Sequence, residues 1–199
     1  MFRLPKAKPQ ILICFFVFLT SITTGCSQLL VASNGKRIAD QNHGERTLGA
    51  YIEDQSIENK SLINIKNLAP ELSKSSVKIA SYNGTVLIAG QTASSQSKAK
   101  AKDIVKEIRH VERVYNALEI SEPSSIILKL KDAWLTFKVK LALMMDKNTP
   151  SSRVKIVTEN SSIYLMGLLK HKEESAVITR IRQIRGVQKI VKLTEYIEK

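Results

Sequence analysis

The sequence predicts an α+β protein made of two tandem copies of one small module. Each copy runs helix, strand, strand, helix, strand, so that two helices pack a three-stranded mixed sheet. Three observations predict this. Ser76–Ile88 aligns with Arg153–Leu165: Val77, Lys78 and Ile79 fall on Val154, Lys155 and Ile156, Asn83 on Asn160, and Gly90 on Gly167. Val77–Ser81 alternates with a period of two and is followed by the turn pair Asn83-Gly84 and a return strand, as in a hairpin. Downstream, Ala101, Val105 and Ile108 recur at helical spacing and align with Val177, Ile181 and Ile184.

The elements follow in order. The first helix of each module is expected to start after an aspartate N-cap, Asp54 or Asp132, whose carboxylate would accept a bond from a first-turn amide. Strands are expected over Val77–Ser81 and Val154–Thr158, with return strands over Thr85–Ala89 and Ile163–Met166. Asn83-Gly84 suits a tight turn because both positions tolerate positive φ, whereas Asn160-Ser161 is a poorer turn. Gly90 and Gly167 are read as strand exits or points of close helix approach. The second helix carries the Ala101 or Val177 stripe, and last strands run Val114–Ile120 and Ile190–Ile197. Glu122-Pro123-Ser124-Ser125 is too short a joint to let the modules swing freely. The expected divisions are residues 1–25, 26–53, 54–122 and 123–199: signal peptide, tether, module one and module two.

The chain has 199 residues, 43% of them apolar, which excludes a disordered chain. Its two cysteines, Cys14 and Cys26, exclude a disulfide scaffold. The charge of +13 calls for a polyanion, either nucleic acid or an anionic membrane surface. The N-terminus decides between them. Arg3, Lys6 and Lys8 precede the short apolar run ILICFFVFLTSI, the anatomy of a secretory signal. That run is shorter than the roughly 20 apolar residues a spanning helix needs. Thr23-Thr24-Gly25-Cys26 resembles the lipobox of bacterial lipoproteins, where cleavage precedes a cysteine that is then acylated. The other reading is an ordinary signal cleaved elsewhere, leaving Cys26 a free thiol. Ser27 is not the aspartate that marks inner-membrane retention in the enterobacterial sorting rule, which favours the outer membrane, facing the periplasm. Export removes nucleic acid as a partner.

The element order, the glycine in each return strand, Arg46–Asp54, and Asp132-Ala133-Trp134-Leu135-Thr136-Phe137-Lys138-Val139 together resemble the BON domain. Two such modules behind a lipobox resemble the dual-BON outer-membrane lipoprotein family. Module one departs from the pattern at Ser61 and at His110, where module two has Gly186. The resemblance implies binding of anionic phospholipid through module two and upkeep of the outer-membrane barrier.

The residues offer no catalytic constellation. His43, His110 and His171 lie far apart in sequence and are read as surface histidines, in the tether, at a helix end and in a loop; no metal or cofactor is expected. Charge is uneven. Residues 123–199 hold 15 basic and 7 acidic side chains, and residues 54–122 hold 10 and 8. The first helix of module two also has two apolar stripes. Leu135, Val139, Ala142 and Leu143 span an arc of about 100° that suits the core. Trp134, Phe137, Leu141, Met144 and Met145 lie on the other side, flanked by Lys138 and Lys140. In module one that second surface reads Ser56, Asn59, Lys60, Lys66 and Asn67, with only Ile63 apolar. Cys26 is thus the expected lipidation site, and Trp134, Phe137, Lys138, Lys140, Leu141, Met144 and Met145 the expected phospholipid contacts. Packing of the stripe on module one is the competing reading, and a periplasmic adaptor that grips another envelope protein is the alternative function.

Overall fold

A computed structural model describes residues 45–197. The expected signal peptide, Cys26, His43 and most of the expected tether lie outside the described residues.

Module one contains α1 (Leu48–Leu68), β1 (Ser76–Tyr82), β2 (Thr85–Thr92), α2 (Ser95–Lys106) and β3 (Arg113–Ile120). Module two repeats the order with α3 (Ile126–Met145), β4 (Val154–Glu159), β5 (Ser162–Leu169), α4 (His171–Arg182) and β6 (Lys189–Tyr196). A short 3-10 turn precedes the first strand of each, at Pro70–Lys74 and Ser151–Arg153. Each sheet has its second strand in the centre. β1 and β4 run antiparallel to it through a tight turn. β3 and β6 run parallel to it after a helical crossover, which parallel pairing requires.

The first helices begin about two turns earlier than expected. Thr47 caps α1, its hydroxyl accepting from the Ala50 amide at 3.1 Å, and Ser125 caps α3, accepting from Leu128 at 3.3 Å. Helix α1 therefore takes in residues 48–53 of the expected tether. Asp54 and Asp132 are not N-caps. Each sits inside its helix, 1% and 4% exposed, and faces the hairpin turn. Asp54 accepts from the amides of Asn83 (2.9 Å) and Gly84 (3.2 Å), and Asp132 from those of Asn160 (2.8 Å) and Ser161 (2.9 Å). All four turn residues have positive φ. That conformation turns two successive amides the same way, and one carboxylate with two oxygens satisfies both. This explains how Asn160-Ser161 serves as a turn without glycine.

Gly90 lies inside β2, opposite Val77, rather than at a strand exit. Its φ is +120°, and a Cβ there would stand 1.8 Å from the Ser76 carbonyl oxygen. Gly167 is hemmed in less tightly, its would-be Cβ 2.6 Å from the Arg153 carbonyl oxygen. The close approach is to the neighbouring strand, not to a helix.

Strand alternation divides the interior into three cores. Val86 and Ile88 face α1 and α2, with Ile57, Ile65, Ala101 and Val105. Ile163 and Leu165 face α3 and α4, with Leu135, Val139, Val177 and Ile181. The intervening residues Leu87, Ala89, Tyr164 and Met166 join Ala80, Tyr82 and Leu193 in a third cluster that unites the modules sheet to sheet. Every residue of β2 is consequently buried, as in a sheet covered on both faces. Polar bonds edge this contact. Lys78 Nζ donates to the Thr158 carbonyl and Lys155 Nζ to the Ser81 carbonyl, both at 3.2 Å, and these are corresponding positions of the repeat. Lys78 also pairs with Glu159 at 2.6 Å and Lys155 with Glu58, while Tyr82 donates to the Arg153 carbonyl at 2.7 Å.

Candidate functional site

From Asp132 onward helix α3 faces two environments. Leu135, Val139 and Leu143 are at most 4% exposed and belong to the core of module two. Trp134, Phe137, Leu141, Met144 and Met145 are 60%, 52%, 43%, 72% and 73% exposed. The stripe is therefore not buried against module one. Trp134 and Phe137 stack on each other, ring centroids 5.4 Å apart and 23° from parallel, forming one aromatic plate on the surface.

The stripe is longer than expected. Because α3 starts at Ile126, Ile126, Ile127 and Leu130 join the same side and are as exposed as Trp134. With 100° per residue, residues 126, 127, 130, 134, 137, 141, 144 and 145 fall within an arc of about 100°. Twenty residues extend this surface over about 30 Å. The signal was present in the sequence: Ser125 is a good cap, and taking the helix from there brings in the apolar residues of IILKL.

Lysines border the stripe, and they are not equivalent. Lys138 donates to the Arg185 carbonyl at 2.8 Å and so is tied to the loop between α4 and β6. Gly186, at φ +108°, shapes that loop, with Leu135 and Lys138 beside it. Lys129, Lys131 and Lys140 are exposed and enter none of the ion pairs found among the described residues of module two. The helix's one acid, Asp132, is buried against the turn, so the exposed side carries no negative charge.

Module one is less different than expected. Besides Ile63, helix α1 exposes Leu48, Tyr51, Ile52, Leu62 and Leu68. The contrast holds at four matched positions, where Ser56, Asn59, Lys66 and Asn67 stand for Trp134, Phe137, Met144 and Met145.

Other polar groups serve structure. Glu174, on α4, accepts from Thr194, from Tyr196 at 2.8 Å and from Lys192 at 3.2 Å. Burial pushes its carboxyl up, but those three donors outweigh it and hold the pKa below the ordinary value. Burial likewise raises Glu173, and its bonds with the Lys170 amide and Arg153 lower it further than that. His171 is the first residue of α4, not a loop residue, and stacks on Tyr196 at 3.8 Å. His110 takes φ +66° at the position of Gly186 and contacts Glu53. Among the described residues no group of histidine, cysteine or carboxylate side chains is placed to hold a metal, and no helix is long and apolar enough to cross a membrane.

The BON domain family matches residues 54–122 and 131–198. The outer membrane lipoprotein DolP of Haemophilus influenzae is 30% identical over 98% of this chain and 98% of its own. A 21 kDa hemolysin of Actinobacillus pleuropneumoniae is 26% identical over 77% of this chain and 79% of its own. Among solved structures, CdsD, a structural protein of the Chlamydia trachomatis type III secretion system, is similar over 72% of this chain and 63% of that one, at 14% identity and a TM-score of 0.29. Two BON domains, and near end-to-end similarity to the outer membrane lipoprotein DolP, make this chain an outer-membrane lipoprotein of the dual-BON DolP family.

Proposed function

We propose that the protein is anchored through acylated Cys26 at the periplasmic face of the outer membrane, binds anionic phospholipid through α3 of module two, and thereby supports outer-membrane integrity. The role is binding, not catalysis. The observation that carries the reading is the exposed stripe from Ile126 to Met145, bordered by lysines and free of exposed acids. A helix of that kind lies in the interface plane, apolar side down. Trp134 suits the headgroup boundary because its ring is apolar and its N–H polar. Lys129, Lys131 and Lys140 keep their ammonium groups at phosphate level while their stems follow the apolar side. Each lysine near an anionic surface contributes about 1 kcal/mol, and salt weakens that attraction. Apolar insertion is not screened, so binding falls only partly as salt rises.

The test is co-sedimentation of the protein with anionic and with zwitterionic vesicles, together with the emission maximum of Trp134, the single tryptophan. The expected result is a blue shift with anionic vesicles, lost in Trp134→Glu while the fold survives. An unshifted maximum assigns the stripe to a protein interface and favours the envelope-adaptor reading.

A further inference from the structure

The apolar stripe of α3 ends in two sulfur side chains. Met144 and Met145 supply the outward side of the last turn, 72% and 73% exposed, while Ala142 is half-buried and Leu143 belongs to the core. The chain has four methionines: Met1, Met144, Met145 and Met166. Met1 lies outside the described residues. Met166 is fully buried between the modules, in the cluster with Leu87 and Tyr164. Among the described residues, therefore, water reaches the thioethers of Met144 and Met145 and not that of Met166. Apolarity alone does not call for sulfur here, since isoleucine and leucine fill the stripe at Ile126, Ile127, Leu130 and Leu141. What a thioether adds to such a surface is that it can be oxidised.

We propose that Met144 and Met145 form a reversible oxidation site, and that peroxide acting on them withdraws the C-terminal end of α3 from the membrane. The proposal rests on the phospholipid reading of the stripe. In the reaction a sulfur lone pair attacks one oxygen of hydrogen peroxide. The S–O bond forms as the O–O bond breaks, and the sulfur gives up two electrons. The departing hydroxide takes the proton of the transferred oxygen and leaves as water. Each methionine becomes a sulfoxide, polar where the thioether was apolar. A methionine sulfoxide reductase, drawing two electrons from a pair of thiols, removes the oxygen again as water.

The two sulfoxides make the whole outward side of the last turn polar. A sulfoxide oxygen is a hydrogen-bond acceptor, and taking it below the headgroups without a donor is unfavourable. Neither sulfoxide carries charge, so the attraction of Lys129, Lys131 and Lys140 for anionic lipid is untouched. Oxidation thus removes part of the apolar contribution that salt does not screen, and what remains of the binding becomes more sensitive to salt. Insertion and oxidation oppose each other. A helix lying in the membrane keeps both sulfurs away from the water that carries peroxide, so oxidation falls on the unbound protein and holds it unbound.

The test places the full-length protein in phosphatidylcholine vesicles carrying increasing amounts of phosphatidylglycerol, with Trp134 emission reporting insertion and peptide mass spectrometry reporting each methionine. The oxidant is hydrogen peroxide, which leaves the indole of Trp134 intact. In phosphatidylcholine alone, Met144 and Met145 should each gain one oxygen at least about tenfold faster than Met166. The oxidised protein should keep its circular dichroism and need at least about twofold more phosphatidylglycerol to reach half of the blue shift. A methionine sulfoxide reductase with a dithiol should restore the original response, and the dithiol alone should not. The double variant Met144→Leu, Met145→Leu should keep the shift and ignore peroxide. Should the oxidised protein lose its fold, the double variant Met144→Gln, Met145→Gln, at two exposed positions, serves instead and should respond like the oxidised protein without any peroxide. Oxidation of Met166 as fast as that of the other two, an unchanged response with both sulfoxides or both glutamines in place, or equal peroxide sensitivity in the leucine variant would overturn the proposal and leave the phospholipid reading standing. Unoxidised protein that shows no blue shift at any phosphatidylglycerol content overturns both.

Discussion

Asp132 Oδ1 accepts a 2.9 Å hydrogen bond from the backbone amide of Ser161, and its second oxygen accepts from Asn160. One buried carboxylate on a helix thus holds the reversal of the strands beside it. Asp132→Ala leaves both amides without a partner, and we expect a loss of about 2–4 kcal/mol in urea unfolding, from bonds to a charged group. Ser161→Gly should have the opposite sign. It removes about 1 kcal/mol of left-handed strain and raises the melting temperature. A Ser161→Gly protein that melts lower would show that the serine side chain contributes more than its backbone costs.

Gly90→Ala should be among the most damaging single-methyl additions available. The new Cβ meets the Ser76 carbonyl at 1.8 Å, and φ +120° is strained for any L side chain. We expect a loss of about 3 kcal/mol or more, seen as a collapsed unfolding midpoint. Gly167→Ala meets a 2.6 Å contact without the positive φ and should cost less. Equal tolerance of both would contradict the strand-packing account.

The stripe predicts separable effects along one helix. Leu130→Glu and Ile127→Glu, at exposed positions, should lower vesicle binding and leave circular dichroism and melting unchanged. Leu135→Glu, one residue beyond Trp134, buries a charge in the core of module two and should unfold it. If Leu130→Glu binds vesicles like the wild type, the contact is confined to the C-terminal half of α3.

The lowered pKa of Glu174 predicts a pH dependence. A carboxyl whose folded pKa lies below its unfolded one stabilises the fold fully above the unfolded value. That contribution disappears as pH falls through the folded value. The stability difference between wild type and Glu174→Gln should therefore be largest near neutrality and shrink below the ordinary carboxylate range. Glu173, lowered beside Arg153, should behave in the same direction. A difference independent of pH from neutrality into strong acid would remove the charge from the explanation.

Much of the fold was legible because local chemistry and tertiary demand agree in this chain. Alternation in Val77–Ser81, the Asn83-Gly84 turn pair and helical spacing at Ala101, Val105 and Ile108 place strands and helices that the structure contains, within a few residues at each end. The repeat extended that reading to module two, where Asn160-Ser161 alone is a weak turn signal. The helix starts were misjudged for a physical reason. Aspartate favours N-caps, and nothing local distinguishes a carboxylate that caps its own helix from one that reaches a turn about 30 residues away. Misplacing the start at Asp132 hid Ile126, Ile127 and Leu130, three of the eight apolar residues of the exposed stripe.

The sequence alone determined the module, its duplication, the uneven charge and the existence of a second apolar stripe on α3. Periodicity and charge are properties of the chain itself. The tertiary structure decided what each surface meets. Leu87, Tyr164 and Met166 stand on the sheet face away from the helices, which the sequence leaves to a neighbour or to solvent, and the structure gives that face to the other module. The α3 stripe reads as a surface for phospholipid with burial against module one as the competitor, and it is exposed. A period specifies which residues share a side but not what lies opposite. That depends on the packing of elements distant in sequence, where the sheet-to-sheet contact buries one apolar surface and leaves the helical one outside.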